Sequence, residues 1–183
     1  MGSCAEVLAK GQKISRSEQD EYAVESYRRA KIAIEKGNFR DEIVPVEINQ
    51  RNGDRIIINT DEEPQKGKVE KISKLKTAFE NDGTITAANA SSINDGAAAL
   101  AVMDNDKRMM LGIKPICKII AHVSFAHDPI NFTTAPVLAI SKVLKKSKLS
   151  IDQIDLFEIN EAFSNVAIYT MQELKIDHNK VNI

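Results

Sequence analysis

The sequence predicts an α/β fold in which helices cover a layered, largely parallel sheet. From Pro115 onward the pattern runs strand, helix, strand, helix, strand: ICKIIAHVSF, residues 134–146, IDLFEI, residues 162–174 and KVNI. This alternation is typical of parallel layered sheets. A second observation is the segment GTITAANASSINDGAAALAVMD, which begins at Gly83. Its small, apolar and nearly uncharged residues suit strands buried between layers.

Two helices are predicted at the start of the chain. A short one covers Ala5 to Lys10, and a long one covers residues 14–37. Ser15 and Glu18 have the spacing of a capping box, and Gly37 supplies a stop signal. One face of the long helix carries residues at helical spacing: Tyr22, Ala23, Ser26, Ala30, Ala33 and Ile34. The pair Glu25 and Arg29 is predicted to support the opposite, solvated face.

A hairpin and a loop are predicted next. Two β-branched runs flank Asn52-Gly53, which is a strong hairpin signal, and Pro45 places the first run at a sheet edge. Residues 60–82 are predicted to form a charged loop with a short helical piece near Lys71–Phe79, too polar for the core.

The small, apolar segment is predicted to contain two buried strands, GTITAA and AAALAVM, separated by a turn or a short helix at SINDG. Asp104 is predicted to cap a short helix that ends at Gly112. The helix at 134–146 carries Pro136 in its first turn, a favoured position for proline.

Composition limits the classes of partner. The chain has 183 residues, 43% of them hydrophobic and 28% charged, which suits one large or two small globular domains. The net charge of -1 argues against nucleic acid or an anionic membrane surface as the main partner. The two cysteines, Cys4 and Cys117, lack metal-ligand spacing. The sequence has no apolar run near the ~18 residues of a membrane span and no signal-peptide pattern at its start.

Two segments are candidate sites, each with a structural alternative. The small residues of NASSINDGAAA would let the backbone lie against a long ligand arm, or would simply pack tightly in a core. Asn160 of NEAF follows a predicted strand, where parallel sheets bind ligands; alternatively, Asn160 and Glu161 cap the next helix.

The remaining reactive side chains give weak signals. His122 and His127 are five residues apart, a spacing that does not favour a shared metal ion. Cys4 lies near a helix start, but the sequence identifies no base that would activate it.

Taken together, the motifs resemble the thiolase family. NASSINDGAAA and NEAF are two of its signatures, and MGSCAE, ISRSEQDEYAVESYRRA, LKTAF and GTITAANAS are similar to family segments in the same order. The resemblance extends over essentially the whole chain. Within the family, TAANAS and PINF look most like the short-chain type that cleaves acetoacetyl-CoA, in particular its mitochondrial, potassium-stimulated branch.

The resemblance implies an αβαβα thiolase-like fold, of which this chain would hold an incomplete part. Residues 1–82 would belong to the loop domain, residues 83–112 to the last strands of the N-terminal core domain, and residues 113–183 to the first half of the C-terminal core domain. The implied reaction interconverts acetoacetyl-CoA plus CoA with two acetyl-CoA, in fatty-acid or ketone-body metabolism.

The resemblance also assigns residues. Asn160 would hold the water of an oxyanion hole. Residues that would contact CoA or line the reaction pocket are Ala78, Phe79, Ala87, Ala88, Ser91, Phe132, Ala162 and Phe163. The backbone carbonyls of Ala87, Ala88 and Ala90 would form a potassium site. CoA and acetyl-CoA would be substrates, with no covalently bound cofactor.

Full-length thiolases use a nucleophilic cysteine, a histidine in a Gly-His-Pro turn and an acid/base cysteine, and none of these motifs occurs in the sequence. Cys4 and Cys117 match neither family cysteine. The sequence is therefore expected to be an internal part of a thiolase, inactive alone. The alternative is a non-catalytic module that associates with thiolase subunits or binds acyl-CoA weakly. The family resemblance implies mitochondria; the chain as it stands, without a transit peptide, would be cytoplasmic.

Overall fold

The computed structural model describes all 183 residues, in six α-helices, one two-stranded sheet and several 3-10 turns. The helices are α1 Gly2–Gln12, α2 Arg16–Lys36, α3 Glu63–Lys66, α4 Asn105–Leu111, α5 Ala135–Ser147 and α6 Ser164–Leu174. The strands are β1 Val46–Asn49 and β2 Arg55–Ile58. The 3-10 turns are Val69–Lys74, Pro129–Thr134, Ile151–Gln153 and His178–Lys180. None of the helices combines the length and apolar character needed to cross a membrane.

The ends of α2 and α4 lie where the sequence places them, whereas α1 is longer than the predicted helix at Ala5 to Lys10 and α6 begins two residues later than predicted. Ser15 and Glu18 form the predicted capping box, and Gly37 closes α2 in the left-handed conformation, with φ at 68°. Asp104 caps α4 by accepting a hydrogen bond from the Lys107 amide, and Gly112 ends that helix. These predictions are confirmed because each depends on interactions within a single helical turn.

The predicted hairpin is confirmed as the antiparallel pair β1 and β2, joined through Asn52-Gly53. Gly53 has φ at 90°, a conformation that favours glycine. Val46, Ile48, Ile56 and Ile58 lie on one face of this sheet, and both strands are exposed.

The wider parallel sheet is only partly present. Its one parallel contact joins Phe157 to Val181, which confirms that IDLFEI and KVNI run side by side. The strands predicted at 97–103 and 116–125 are wrong: these residues have no regular secondary structure and are mostly exposed, with Leu100 at 90%. No other segment of the chain pairs with them, and a strand depends on its neighbours for stability.

Helix α6 lies at the centre of the packed region. Ala167 and Ile168 on this helix join one hydrophobic cluster, and Val166 joins a second. The first cluster is Ile14, Tyr22, Phe157, Ile159, Ala167, Ile168, Ile176 and Val181. The second is Ala5, Ile85, Phe163 and Val166. Ile72 is also buried, so the expectation that residues 60–82 contribute nothing to the interior is wrong at that position.

Candidate functional site

A cleft of about 890 Å³ lies between α2 and the NEAF corner. Its walls are the face of α2 from Ala23 to Ile34, the segment 88–92, and residues 158–161. Asn182 and Ile183 lie at one side of it. We call this space the corner cleft. It brings together the two segments that the sequence singled out, although they are far apart along the chain.

Buried Glu6 on α1 orders the segment that leads into the cleft. Its carboxylate accepts hydrogen bonds from the Thr84 and Ile85 amides, each at 2.9 Å, and from the Thr84 hydroxyl at 3.0 Å. A buried carboxylate without such donors would be strongly disfavoured. Sequence analysis missed this role, since nothing local to Glu6 indicates its partners.

The side chain of Asn89 holds the backbone at Thr84 and Thr86 in place. Its side-chain amide donates to Asp20 and to the Thr84 carbonyl, both at 3.0 Å, and its side-chain oxygen accepts from the Thr86 amide at 2.8 Å. Asp20 is held in turn by Arg16 at 2.7 Å. A buried asparagine in the otherwise small and apolar TAANAS was the one available signal for this role.

The segment is then joined to the NEAF corner. The Ser91 amide donates to the Ala162 carbonyl at 3.0 Å, and the Ser164 amide donates to the Asn89 carbonyl at 2.8 Å. This short antiparallel contact, centred on Ala90 and Phe163, places Ser91 beside Ala162. Of the residues that the resemblance assigns, Ala88, Ala90, Ser91 and Asn160 line the corner cleft.

The other assigned residues lie outside the walls of this cleft. Phe163 is buried and meets Phe79 edge to face, with ring centres 6.4 Å apart. Phe132 and Ala162 pack against the cluster that contains Phe163. Ala78 donates its amide to the Ile85 carbonyl at 2.8 Å, and Ala87 is exposed.

Asn160 is exposed, and its carboxamide makes no hydrogen bond within the chain. Helix α6 begins after Phe163, and no side chain caps it. The alternative that Asn160 and Glu161 cap this helix is therefore wrong. The Asn160 carboxamide is free to bind a ligand or water at the edge of the cleft.

Glu161, which also lines the corner cleft, is held in a hydrogen-bond network. It accepts from the Tyr22 hydroxyl at 2.7 Å, the Ser26 hydroxyl at 2.7 Å and the Asn182 amide at 2.8 Å. Burial, and then the hydrogen bond to Glu161, raises the pKa of the Tyr22 phenol, so that Tyr22 stays a proton donor. The sequence did not predict this network.

The environment of Arg29 differs from the prediction that it lies on the solvated face of α2. The predicted ion pair with Glu25 forms at 2.7 Å, but the Arg29 side chain is only 15% exposed rather than solvated. It donates to the carbonyls of His178, Val181 and Asn182. Hydrogen bonds from Arg28 and then Arg29 lower the pKa of the Glu25 carboxyl to about 2, so that Glu25 remains charged and holds Arg29.

Comparison with known proteins identifies the family. The thiolase N-terminal domain matches residues 1–106, and the thiolase C-terminal domain matches residues 113–183. The chain belongs to the thiolase family. Its fold is correspondingly a partial α/β thiolase fold: it superposes on the crystal structure of the Bacillus anthracis acetyl-CoA acetyltransferase with a TM-score of 0.95 and 40% identity, covering 100% of this chain and 46% of that one.

Similar curated thiolases share the acetyl-CoA acetyltransferase name. The Yarrowia lipolytica acetyl-CoA acetyltransferase is 49% identical over 183 residues, which are 100% of this chain and 46% of the relative. The human mitochondrial acetyl-CoA acetyltransferase is 46% identical over 184 aligned positions, covering 100% of this chain and 43% of the relative. The chain thus spans somewhat less than half the length of the relatives it matches.

Proposed function

We propose that this thiolase chain works as part of an acetyl-CoA C-acetyltransferase, which interconverts acetoacetyl-CoA plus CoA with two acetyl-CoA. The observation that carries the proposal is the free Asn160 carboxamide, which lines the same cleft as Ala88 and Ser91. The acetyltransferase names of the relatives support the same reaction.

The proposed reaction requires stabilisation of the negative charge that develops on a thioester oxygen. Thiolases transfer an acyl group through a cysteine and move a proton with a second group, so an oxyanion develops in each step. A donor fixed before the reaction stabilises that charge without reorganising. We assign this task to Asn160, acting directly or through a water that it holds. Neither the cysteine nor the histidine of this chemistry is assigned to a residue of this chain.

For the CoA thioester, we propose contacts along the short antiparallel link and around Phe163. Ser91 supplies a hydroxyl at the cleft, and Ala87 and Ala88 let the pantetheine arm approach the backbone. The remaining proposed contacts around the thioester are Ala78, Phe79, Phe132, Ala162 and Phe163. The bulk of Phe132 would favour short acyl chains.

We propose that the backbone of residues 87–90 binds a potassium ion. The carbonyl oxygens of Ala87, Ala88 and Ala90 accept no hydrogen bond within the chain, which leaves three oxygen ligands available for a hard cation. When bound, potassium would supply positive charge that fixes this backbone. We expect the acetyltransferase to show a lower KM for acetoacetyl-CoA in KCl than in NaCl of equal ionic strength. Identical KM values in both salts would contradict the potassium assignment.

The test of the proposed function is a chimera. Residues 1–183 replace the aligned segment of the Yarrowia lipolytica relative, and the unmodified relative serves as control. We expect the chimera to cleave acetoacetyl-CoA at a rate comparable with the control, because this chain would supply the oxyanion and CoA contacts. A folded chimera with no turnover would contradict the proposal.

A non-catalytic role is the second candidate, favoured by one observation. Apolar side chains at 97–103 and 116–125 are exposed, including Val102 at 74% and Ile119 at 64%. An apolar surface of this kind suits association with thiolase subunits, or a weak acyl-CoA site. A cooperative, reversible melt of monomeric residues 1–183 would favour this role.

We further propose that the acetyltransferase is oligomeric and mitochondrial. The mitochondrial location is suggested by the names of the mouse and human relatives.

A further inference from the structure

Asn160 lies between two residues whose positions are fixed by one side chain. The carboxamide of Asn182 accepts from the Ile159 amide at 2.7 Å and donates to the Ile159 carbonyl at 2.8 Å. The same amide donates to Glu161 at 2.8 Å. The backbone before Asn160 and the side chain of the residue after it are therefore both held by Asn182, although the Asn160 side chain itself is free.

Asn182 is itself held in an uncommon conformation. Its φ is 51°, in the left-handed region that most residues avoid. The Arg29 guanidinium donates to the Val181 carbonyl at 2.6 Å and to the Asn182 carbonyl at 3.2 Å. These charge-assisted bonds offset the cost of the conformation and tie the residues after α6 to α2.

Glu161 completes the connection to α2. Its carboxylate accepts from Tyr22 and Ser26, which are 139 and 135 positions away along the chain. Tyr22 is buried and stacks on His178 with ring centres 5.1 Å apart, so that its hydroxyl has little freedom. One Glu161 oxygen is shared by Tyr22 and Asn182, and the other is bound by Ser26.

We propose that Glu161 is a positioning residue, whose carboxylate, anchored by Tyr22 and Ser26 on α2 and by Asn182, holds the backbone that carries Asn160. Its two oxygens accept all three of these hydrogen bonds, which suits a structural anchor. The inference rests on the proposed function, in which Asn160 stabilises the oxyanion. On this view, Tyr22 and Ser26 on α2, which are distant along the chain, help to position Asn160 through Glu161.

The experiment is a double-mutant cycle in the chimera described above. Glu161→Gln keeps the shape but replaces one acceptor with an amide that opposes the hydroxyl donors. Since a misplacement of 1 Å can cost about 10²-fold in rate, we expect this variant to lower kcat by about 10-fold to 100-fold, with KM little changed. In an Asn160→Ala background the same substitution is expected to change kcat hardly at all, because no carboxamide remains to be positioned.

Glu161→Ala serves as a second variant that removes the acceptor altogether. Glu18→Ala is the matched control: Glu18 accepts hydrogen bonds from Ser15 at the start of α2, and its loss should lower the melting temperature without changing kcat. Equal losses of kcat in the presence and absence of Asn160 would overturn the positioning role, because they would indicate a general structural effect.

A crystal structure of the Glu161→Gln chimera separates this inference from the proposed function. We expect the Asn160 carboxamide to be displaced relative to the unmodified chimera. An unmoved Asn160 would overturn the inference even if the chimera is active. A displaced Asn160 in an inactive chimera would support the positioning role while the proposed reaction fails.

Discussion

Purified residues 1–183 are expected to cleave no acetoacetyl-CoA. The polypeptide has two thiols, Cys4 and Cys117, and neither forms a hydrogen bond with a histidine or any other base. A thiol nucleophile needs a lowered pKa or an adjacent base. Loss of a covalent nucleophile typically costs about 10⁶-fold in kcat, and the oxyanion stabilisation proposed for Asn160 would not replace it.

The measurement is the loss of thioester absorbance when acetoacetyl-CoA and CoA are mixed with the purified polypeptide. The active comparison is the chimera, which supplies the same residues together with the rest of a thiolase. A Cys4→Ala, Cys117→Ala double variant tests for unexpected chemistry. Turnover by the unmodified polypeptide that disappears in this variant would show that one of these thiols is a working nucleophile.

How far the sequence predicts the fold depends on the range of the interactions involved. The ends of α2 and α4 could be predicted because Ser15, Gly37, Asp104 and Gly112 act on the backbone within a few residues. The hairpin could be predicted for the same reason, from the conformational preference of Asn52-Gly53. Strands at 97–103 and 116–125 could not be decided locally, because a strand requires a partner and the chain provides none there.

The same difference between local and long-range interactions applies to the candidate site. The position of Asn160 after a predicted strand and the small residues of TAANAS were the local signals behind the predicted ligand site, which stays a prediction. The contacts that hold these residues in place could not be predicted from local sequence. Glu6 and Thr84 are 78 positions apart along the chain, and Tyr22 and Glu161 are 139 apart. Arg29 was misplaced on the solvated face because its spacing from Glu25 indicates a pair, while its contacts with the distant Val181 and Asn182 carbonyls are invisible in local sequence.

Asn160→Ala in the chimera is expected to lower kcat far more than it raises KM. Removal of one oxyanion-hole donor typically costs about 10²–10³-fold in kcat. The effect should fall on kcat because the donor acts on charge that develops only in the transition state. The substitution should leave the melting temperature unchanged, since the Asn160 side chain is exposed and makes no hydrogen bond.

Two further variants make this result specific. Asn160→Asp keeps the shape of the side chain but places a carboxylate beside the developing oxyanion, so it should be at least as slow as Asn160→Ala. Asn38→Ala removes another exposed carboxamide that makes no side-chain hydrogen bond and lies outside the corner cleft, and it should retain the parent kcat. Steady-state kinetics of acetoacetyl-CoA cleavage would decide the role of Asn160. A raised KM with an unchanged kcat would make Asn160 a substrate-binding residue and would remove it from the oxyanion site.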